Sequence, residues 1–547
     1  MHWNWELEGV ILAGLVLVIL YPHPSLGNPV GHEAHPSPHF QCHARPFFLN
    51  ERSERFVVNG SAIPEVNFDV GESYAGLLPI GSSGNGSSSE LYFWFFPSTN
   101  AVAQQGREIL IWLSGGPGCS SLGDLLQQNG PFLWQPGTIE PVANIWSWHR
   151  LTNVDVAQQF LGFWRNFVDT FALQGYKIYV TGYSYAGIMA PYIASAMLDW
   201  NDTRYFDLAG MMVYSGLYSK LGLAREIPVP FFINRWKNAL SFNDTFTAYV
   251  NNRTVECGYT PYLEQYLVFP PRGPQPANLP GHDNVTNLPL PDCALWSAVF
   301  FASLELNPCF SVFDVTEQCP FRFDSLGFYN GLESHPRLPL TPYFNRPDVK
   351  AAINAPLNTN WTFCVDRSTV FAGGFDETLL SAPGSQPVLP RVIEHTANVI
   401  LGHGYRDVIT LPEGTLLTIQ NLTWNGEMGF REEPTAPLFV PYHGGGNGSA
   451  ETAAGAGVLE TSHEERGLTW FGAAQAGHML VGDQLALGFR TVEVLLGRVA
   501  GLTATVPFTV DVGEEVEHTG GLGNGTVVVS NWEEVAGLYR FVEDGLE

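Results

Sequence analysis

The chain has 547 residues, of which 45% are hydrophobic and 14% are charged, with 57 Gly and 39 Pro. This composition is typical of a globular protein and excludes disordered, collagen-like and coiled-coil chains. The 26 Lys and Arg face 53 Asp and Glu, so the formal net charge of −27 repels nucleic-acid backbones and anionic membranes. We expect no nucleic-acid partner, and one core enlarged by an insertion.

The N-terminal residues indicate export from the cytosol. An apolar run at 10–20 precedes small residues at 25–27, which is typical of a cleaved secretory signal and too short to span a bilayer. We predict a signal peptide at 1–27, a flexible lead at 28–54 and a secreted, extracellular protein that has no membrane contact after signal removal, with the vacuole as the alternative destination. Glycosylation sequons agree with this route and lie at Asn59, Asn85, Asn201, Asn243, Asn252, Asn284, Asn360, Asn421, Asn447 and Asn524.

The 7 Cys residues show no CxxC pair and no spacing typical of zinc ligands. In an oxidising compartment most of them are expected to form disulfides, and one must be left over. Cys42 is our candidate for the unpaired residue, because it lies in a polar, His-containing lead. The sequence predicts neither a metal site nor a cofactor.

The predicted elements of the first half alternate between strands and helices. Strands are predicted at 90–97 and 108–113, a helix at 155–171, a strand at 176–181 and a helix at 186–198. This order favours an α/β fold with a mostly parallel central sheet.

The amino-acid composition changes at 216–345, where Pro, Gly, aromatic residues and Cys are concentrated. We interpret this region as a cap inserted between two parts of one core, at 55–215 and 346–547. A strand at 398–401 and a helix at 484–496 return in the second part. Surface loops are predicted at 444–457 and 513–526.

The segment 182–187, GYSYAG, places a G-x-S-x-G motif between a predicted strand and a predicted helix. In that context the motif makes a sharp turn that exposes a serine hydroxyl, here that of Ser184. A serine nucleophile needs a histidine to take its proton and an acid to orient the histidine. Asp407, after a late strand, and His478, on a Gly-flanked loop, are the candidates, whereas His463 is predicted to be solvated in a charged loop.

Several motifs together resemble those of the fungal serine carboxypeptidases, the S10 family of α/β-hydrolases. They are FDVGESYAGLLPI at 68–80, GGPGCSS at 115–121, GYSYAG at 182–187, NLTWNG at 421–426 and GHM at 477–479. The similarity spans roughly residues 55–545. It implies an α/β-hydrolase fold with an inserted cap and a peptide substrate.

The resemblance also implies residue roles. Ser184 would be the nucleophile, Asp407 the orienting acid and His478 the base, with an oxyanion hole formed by the backbone N–H groups of Gly116 and Tyr185. It further implies a disulfide between Cys119 and Cys364. The remaining pairings, which lie in the cap, stay unassigned.

The chain departs from this family where the free C-terminal carboxylate of the substrate is recognised. The altered carboxylate-binding residues would be Ser114, Gly115, Gln128 and Tyr183. Ser114 replaces an asparagine, and Gln128 and Tyr183 replace two glutamates that share protons. Because Ser, Gln and Tyr donate hydrogen bonds without needing an extra proton, we expect any remaining carboxylate recognition to depend less on acid. The alternative is that Tyr183 fills the subsite and leaves a weak or inactive peptidase.

A second departure concerns the scaffold. Relatives carry a strand and a loop where Val154 is followed directly by Asp155 in this chain. Because that strand would be central to the sheet, we expect its loss to leave backbone groups unpaired and a gap in the core. An incomplete gene model is our explanation.

The sequence therefore predicts a secreted serine-type carboxypeptidase that releases C-terminal residues through an acyl-enzyme. The alternatives are a serine esterase or acyltransferase of the same fold with altered carboxylate recognition, and a binding protein with impaired catalysis. The sequence does not reveal the oligomeric state.

Overall fold

The computed structural model describes residues 46–81, 89–156, 160–319, 322–327, 341–365, 370, 384–443 and 455–511. The predicted signal peptide, Cys42, most of the lead, the loop at 513–526 and the sequons at Asn85, Asn447 and Asn524 lie outside these residues. So does most of the loop at 444–457, although strand β14 already begins at Gly457.

The strands are β1 Val57–Val58, β2 Ser73–Pro79, β3 Glu90–Phe95, β4 Glu108–Leu113, β5 Phe132–Leu133, β6 Val142–Ala143, β7 Asn153–Val156, β8 Lys177–Tyr183, β9 Asp207–Tyr214, β10 Val399–Gly404, β11 Thr423–Trp424, β12 Glu427–Met428, β13 Ala436–Val440, β14 Gly457–Glu465 and β15 Leu468–Ala473.

The α-helices are α1 Ala101–Gly106, α2 Ser121–Asp124, α3 Phe160–Phe171, α4 Ala186–Trp200, α5 Val229–Leu240, α6 Asp244–Glu256, α7 Tyr259–Tyr266, α8 Leu295–Leu306, α9 Pro347–Ala352, α10 Leu389–Thr396, α11 Pro412–Gln420, α12 Leu480–Asp483 and α13 Leu485–Leu495. Helical turns of π type follow α2 at Leu125–Asn129 and precede α5 at Gly222–Glu226.

Eight strands form the central sheet in the order β13-β14-β15-β10-β9-β8-β4-β7. All neighbours from β15 to β7 run parallel, and the two pairs at the β13 end run antiparallel. The predicted α/β fold with a mostly parallel sheet is confirmed. Because parallel strands end at the same edge, the loops that follow β4, β8, β10 and β15 meet there.

The prediction that the missing strand leaves the backbone of β4 unpaired is wrong for the described residues. Residues Asn153–Val156 form β7 and pair with β4, with Ile109 opposite Asn153 and Trp112 opposite Val156. Unpaired backbone groups along β4 would be costly, and this short strand satisfies them. The helix predicted from residue 155 therefore begins later, at Phe160.

Aromatic side chains fill the layer between β3 and α3. Phe93 and Phe95 on β3 pack against Phe167 on α3 with ring centroids 5.4 Å apart in both pairs. Phe171 lies 5.1 Å from Phe95. Edge-on contacts of this kind add to the stabilisation from apolar burial.

The region predicted to be the cap contains α5 to α8 and has its own buried cluster, which includes Phe232, Tyr259 and Leu295. Disulfides join Cys257 to Cys293 and Cys309 to Cys319. The domain boundaries remain a prediction.

His463 lies in β14 and not in a solvated loop, so that prediction is wrong. Its side chain is 13% exposed, with Nε2 3.2 Å from Glu465 Oε2. The Phe430 ring packs edge-on against the imidazole at 4.7 Å. The pairing of β14 with β15 overrides the polar local sequence.

A fully buried ion pair within α13 also binds the last described segment of the chain through hydrogen bonds. Arg490 Nη1 lies 2.9 Å from Glu493 Oε2, and neither side chain is exposed. Glu493 Oε1 accepts hydrogen bonds from the backbone N–H and the hydroxyl of Thr509 at 2.5 and 2.6 Å. Arg490 donates to the carbonyl oxygens of Ala504 and Val506.

We predict that Glu493→Ala lowers the free energy of unfolding by about 3–5 kcal/mol, because it leaves a buried guanidinium without its counter-charge. Glu256→Ala is the control, since Glu256 forms an ion pair of the same 2.9 Å length with Arg253 at the surface. That variant is expected to lose less than about 1 kcal/mol. Thermal unfolding measures both, and equal losses would contradict the difference.

Candidate active site

Ser184 occupies the sharp turn between β8 and α4. Its φ is 59°, a left-handed conformation that is uncommon for a residue with a side chain. The Ser184 N–H donates to the Tyr214 carbonyl at 3.0 Å, and its own carbonyl accepts from Leu217 N–H at 2.9 Å. These bonds hold the strained residue in place.

Glycine is required on both sides of this turn. A Cβ on Gly182 would lie 2.2 Å from the Leu113 carbonyl oxygen, and one on Gly187 would lie 2.6 Å from Leu217 N. The spacing of the G-x-S-x-G motif thus follows from close backbone contacts around Ser184.

The turn after β4 packs directly against Ser184. A Cβ on Gly115 would lie 2.4 Å from Ser184 Cβ, 2.7 Å from its Oγ and 3.0 Å from Tyr185 N. Gly116 has a φ of 111°. The glycine turn and the start of α4 therefore meet at the serine, and the oxyanion role of Gly116 and Tyr185 remains a prediction.

The acid and the histidine come from the neighbouring strands. Asp407 follows β10, His478 follows β15, and Asp407 Oδ2 accepts a hydrogen bond from His478 Nδ1 at 2.7 Å. Since an ionised carboxylate only accepts hydrogen bonds, Nδ1 carries a proton and Nε2 is left for acid–base work. The backbone N–H of His478 donates to the Phe313 carbonyl at 2.7 Å, and this bond anchors the loop that carries His478.

Further donors hold the Asp407 carboxylate. Ile409 N–H donates to Oδ1 at 2.7 Å, and the Thr410 hydroxyl donates to Oδ2 at 2.9 Å. Burial by itself raises the pKa of Asp407, but the positive charge of His478 and hydrogen bonds from His403 and His478 lower it to about 2. The carboxylate is therefore ionised and can stabilise an imidazolium at His478.

His403 is a contact of the acid that the sequence did not reveal. This fully buried residue places Nε2 3.3 Å from Asp407 Oδ2 and 2.8 Å from the Thr410 carbonyl oxygen. Its Nδ1 lies 3.0 Å from the Thr415 hydroxyl. The Gly-His-Gly sequence at the end of β10 is the sequence feature that could have indicated the contact between His403 and Asp407.

Tyr183 links the histidine to the serine turn. It directly precedes Ser184, and its ring packs edge-on against the His478 imidazole with centroids 5.8 Å apart. The three residues predicted to carry the chemistry thus lie at one edge of the sheet, after β8, β10 and β15. The Cys119–Cys364 disulfide lies next to the glycine turn, since a Cβ on Gly116 would lie 2.7 Å from Cys119 Sγ.

We predict that Asp407→Asn lowers kcat by about 10⁴-fold, because an amide neither fixes the His478 tautomer nor stabilises its charged form. Steady-state kinetics on a blocked dipeptide measures the loss. Asp199→Asn, at an exposed ion pair with Arg391, is the control and is expected to keep normal kcat. A kcat within tenfold of normal for Asp407→Asn would contradict the assignment.

The residues predicted to bind a substrate carboxylate are buried. Ser114, Gln128 and Tyr183 all hydrogen-bond the carboxyl group of Asp124, which the sequence did not single out. Asp124 lies at the end of α2, ten residues after Ser114. A lone aspartate in a short helix carries no motif, so only the fold reveals it.

A second acid, Asp483 at the end of α12, supports the histidine loop although the residue is exposed. Asp483 Oδ2 accepts a hydrogen bond from Gly477 N–H at 2.7 Å. Reduced hydration around the carboxyl group raises the pKa of Asp483, as does repulsion from Asp314, while the hydrogen bond from Gly477 and the charge of Arg406 oppose the rise.

This raised pKa predicts a pH-dependent stability. Folding favours the protonated form of Asp483, so its contribution is full below the unfolded pKa of 3.8 and is lost as pH rises through the higher folded value. Asp483→Asn keeps an acceptor for Gly477 and removes the ionisation. We therefore expect the Tm of the variant to exceed that of the parent slightly at pH 8, since solvent screens an exposed carboxylate, and to match it near pH 3.5.

The control residue for this experiment, Asp283, has a pKa shift in the opposite direction. Hydrogen bonds from Thr286 and Val285 lower the pKa of the exposed Asp283. Asp283→Asn is thus expected to lose a little stability at pH 8 and none at low pH. A Tm at pH 8 that does not rise in Asp483→Asn would contradict the raised pKa.

The predicted glycosylation sites that the structure describes are mostly exposed. The exposed asparagines are Asn59, Asn201, Asn243, Asn252, Asn284 and Asn360. Asn421 is only partly exposed, and its Oδ1 accepts a hydrogen bond from Gln275 N–H at 2.8 Å. Glycosylation at these positions remains a prediction.

The sequence matches a family model described as serine carboxypeptidase over residues 64–155 and 152–493. The two matched pieces overlap at residues 152–155, the position of the strand and loop that we expect to be missing. A protein named probable serine carboxypeptidase from Arthroderma benhamiae is 45% identical over 487 residues, covering 83% of this chain and 88% of the relative. Serine-type carboxypeptidase F of Aspergillus niger is 39% identical over 490 residues, covering 82% and 88%.

A solved structure shares the fold. It is Kex1(delta)p, a prohormone-processing carboxypeptidase from Saccharomyces cerevisiae, with a TM-score of 0.60 and 20% identity. The match covers 82% of this chain and 96% of that one.

Proposed function

The chain belongs to the serine carboxypeptidase family, and from this premise we propose that it removes C-terminal residues from peptides with Ser184 as nucleophile. The observation that supports the roles is the 2.7 Å hydrogen bond between His478 and Asp407 beside the Ser184 turn. A buried, oriented imidazole beside the sharp turn that carries Ser184 is the arrangement that acyl transfer requires.

In the proposed reaction, Ser184 Oγ attacks the carbonyl carbon of the last peptide bond while His478 Nε2 takes the hydroxyl proton. The backbone N–H groups of Gly116 and Tyr185 donate to the oxyanion, each worth about 3 kcal/mol in the transition state. His478 then passes its proton to the departing nitrogen, and the C–N bond breaks. Water, deprotonated by His478, attacks the acyl-enzyme and releases the shortened peptide and free Ser184.

We also propose that the enzyme works in an oxidising compartment, either secreted or vacuolar. Disulfides persist in such compartments, and three join described residues. Within the described part of the chain, none of the helices has the length and apolar character needed to cross a bilayer.

Ser184→Ala tests the proposal. We predict that kcat on a blocked dipeptide falls on the order of 10⁶-fold, because the acyl-enzyme cannot form. A fluorophosphonate probe is expected to label the parent protein and not the variant, as read by intact-protein mass.

Ser195→Ala is the matched control, since Ser195 is a buried residue of the same helix whose hydroxyl contacts Arg391. It is expected to be labelled and active. Labelling of Ser184→Ala at the parental rate would contradict the assignment of Ser184 as the nucleophile. Turnover of esters without release of any C-terminal amino acid would instead support the esterase or acyltransferase alternative.

A further inference from the structure

His403 lies at the end of β10 with a completely buried side chain. Its Nε2 lies 2.8 Å from the Thr410 carbonyl oxygen and 3.3 Å from Asp407 Oδ2. Because a carbonyl oxygen only accepts hydrogen bonds, Nε2 carries a proton in either charge state of the ring. On the other side of the imidazole, Nδ1 lies 3.0 Å from the Thr415 hydroxyl on α11. The ring is therefore fixed at both nitrogens.

Thr410 connects His403 to the orienting acid. It donates to Asp407 twice, from the backbone N–H to Oδ1 at 3.2 Å and from the hydroxyl to Oδ2 at 2.9 Å. The carbonyl of the same residue accepts the hydrogen bond from His403. His403 therefore fixes the residue that orients the Asp407 carboxylate, and its own N–H lies close to Oδ2.

His478 shares Asp407 Oδ2 with these donors. Its Nδ1 lies 2.7 Å from that oxygen. Donors that stabilise a carboxylate weaken its attraction for each positively charged neighbour. The N–H of His403 and the two donors of Thr410 therefore oppose the protonation of His478.

The other titratable side chains on the elements around this site have partners of their own. They are Glu226, Glu413, Arg235, Asp314, Arg406, Asp483 and Tyr183. Among the described charged groups, Asp407 forms ion pairs with His403 and His478 alone. The two imidazoles thus compete for one carboxylate.

We propose that His403 is a positioning residue of the reaction: through Thr410 and Asp407 it keeps His478 in the unprotonated form, able to act as a base, at acidic pH. The proposal rests on the proposed carboxypeptidase function. A protonated His478 cannot take the proton of Ser184, so kcat/KM falls at the pH where His478 becomes protonated. Each further donor to Asp407 moves this limit to lower pH.

The test measures kcat and KM of His403→Asn on a blocked dipeptide from pH 4 to 8. The shorter amide keeps a partner for Thr415 near the position of Nδ1 but does not reach Thr410 or Asp407. We expect the acid-side midpoint of kcat/KM to rise by about one pH unit and the plateau of kcat to fall about tenfold, as for the loss of one hydrogen bond near a charged group. KM is expected to stay unchanged, because the fully buried side chain does not reach the substrate.

His403→Gln is the conservative variant. Its longer side chain brings an amide N–H near the position of Nε2, so it is expected to restore the parental midpoint. A purely structural role of His403 would lower activity at every pH without moving the midpoint. An unmoved midpoint in His403→Asn, or an equal shift in both variants, would overturn the proposal.

His282→Gln is the matched control. His282 is also buried and donates from Nδ1 to the Pro280 carbonyl at 2.7 Å, but it lies beside Tyr259 in the region predicted to be the cap. This variant is expected to keep the parental kcat and midpoint. A midpoint that rises in His282→Gln as far as in His403→Asn would contradict a specific role of His403.

A measurement on the parent protein keeps the test decisive if His403→Asn does not fold. In nitrogen NMR spectra of the histidine-labelled parent, one imidazole is expected to keep a proton at Nε2 from pH 4 to 8, and its signal is expected to be absent from His403→Gln. A His403 signal without a proton at Nε2 would overturn the proposal.

Fluorophosphonate labelling of the parent separates this proposal from the proposed function. Absent labelling would defeat the proposed function. Normal labelling together with an unmoved midpoint in His403→Asn would defeat only the role of His403.

Discussion

The hydrogen bond between Asp407 and His478 depends on the alignment of two parallel strands. Strands β10 and β15 pair over six positions, from Val399 opposite Leu468 to Gly404 opposite Ala473. The loops that carry the acid and the histidine leave these strands side by side. A slip of one residue would displace one loop by about 3.3 Å, more than a hydrogen bond of 2.7 Å tolerates.

Two carboxyl groups near the serine turn are equally buried and behave differently. Asp407 has histidines as partners, and its pKa is lowered to about 2. Asp124 has only uncharged donors, and its pKa is raised to about 6. Since the burial is the same, the charge of the partners decides which group stays ionised and which one titrates.

Residues close in the chain were predictable, and contacts between distant elements were not. The apolar run at 108–113 forms β4 with the same bounds, and the turn motif around Ser184 lies between β8 and α4, because both depend on local sequence. Residues 155 and 156 were assigned to a helix on their spacing, yet pairing with β4 draws them into β7. Asp124 was missed because its contact with Tyr183 joins separate elements.

The Cys119–Cys364 disulfide spans a sequence separation of 245 residues, and the helices α5 to α8 lie between its ends. Cleavage of any single peptide bond in that interval would leave both fragments covalently joined. A protein cleaved in an exposed turn between these helices would therefore migrate as one species in denaturing electrophoresis. A reducing agent would separate it into a light and a heavy chain.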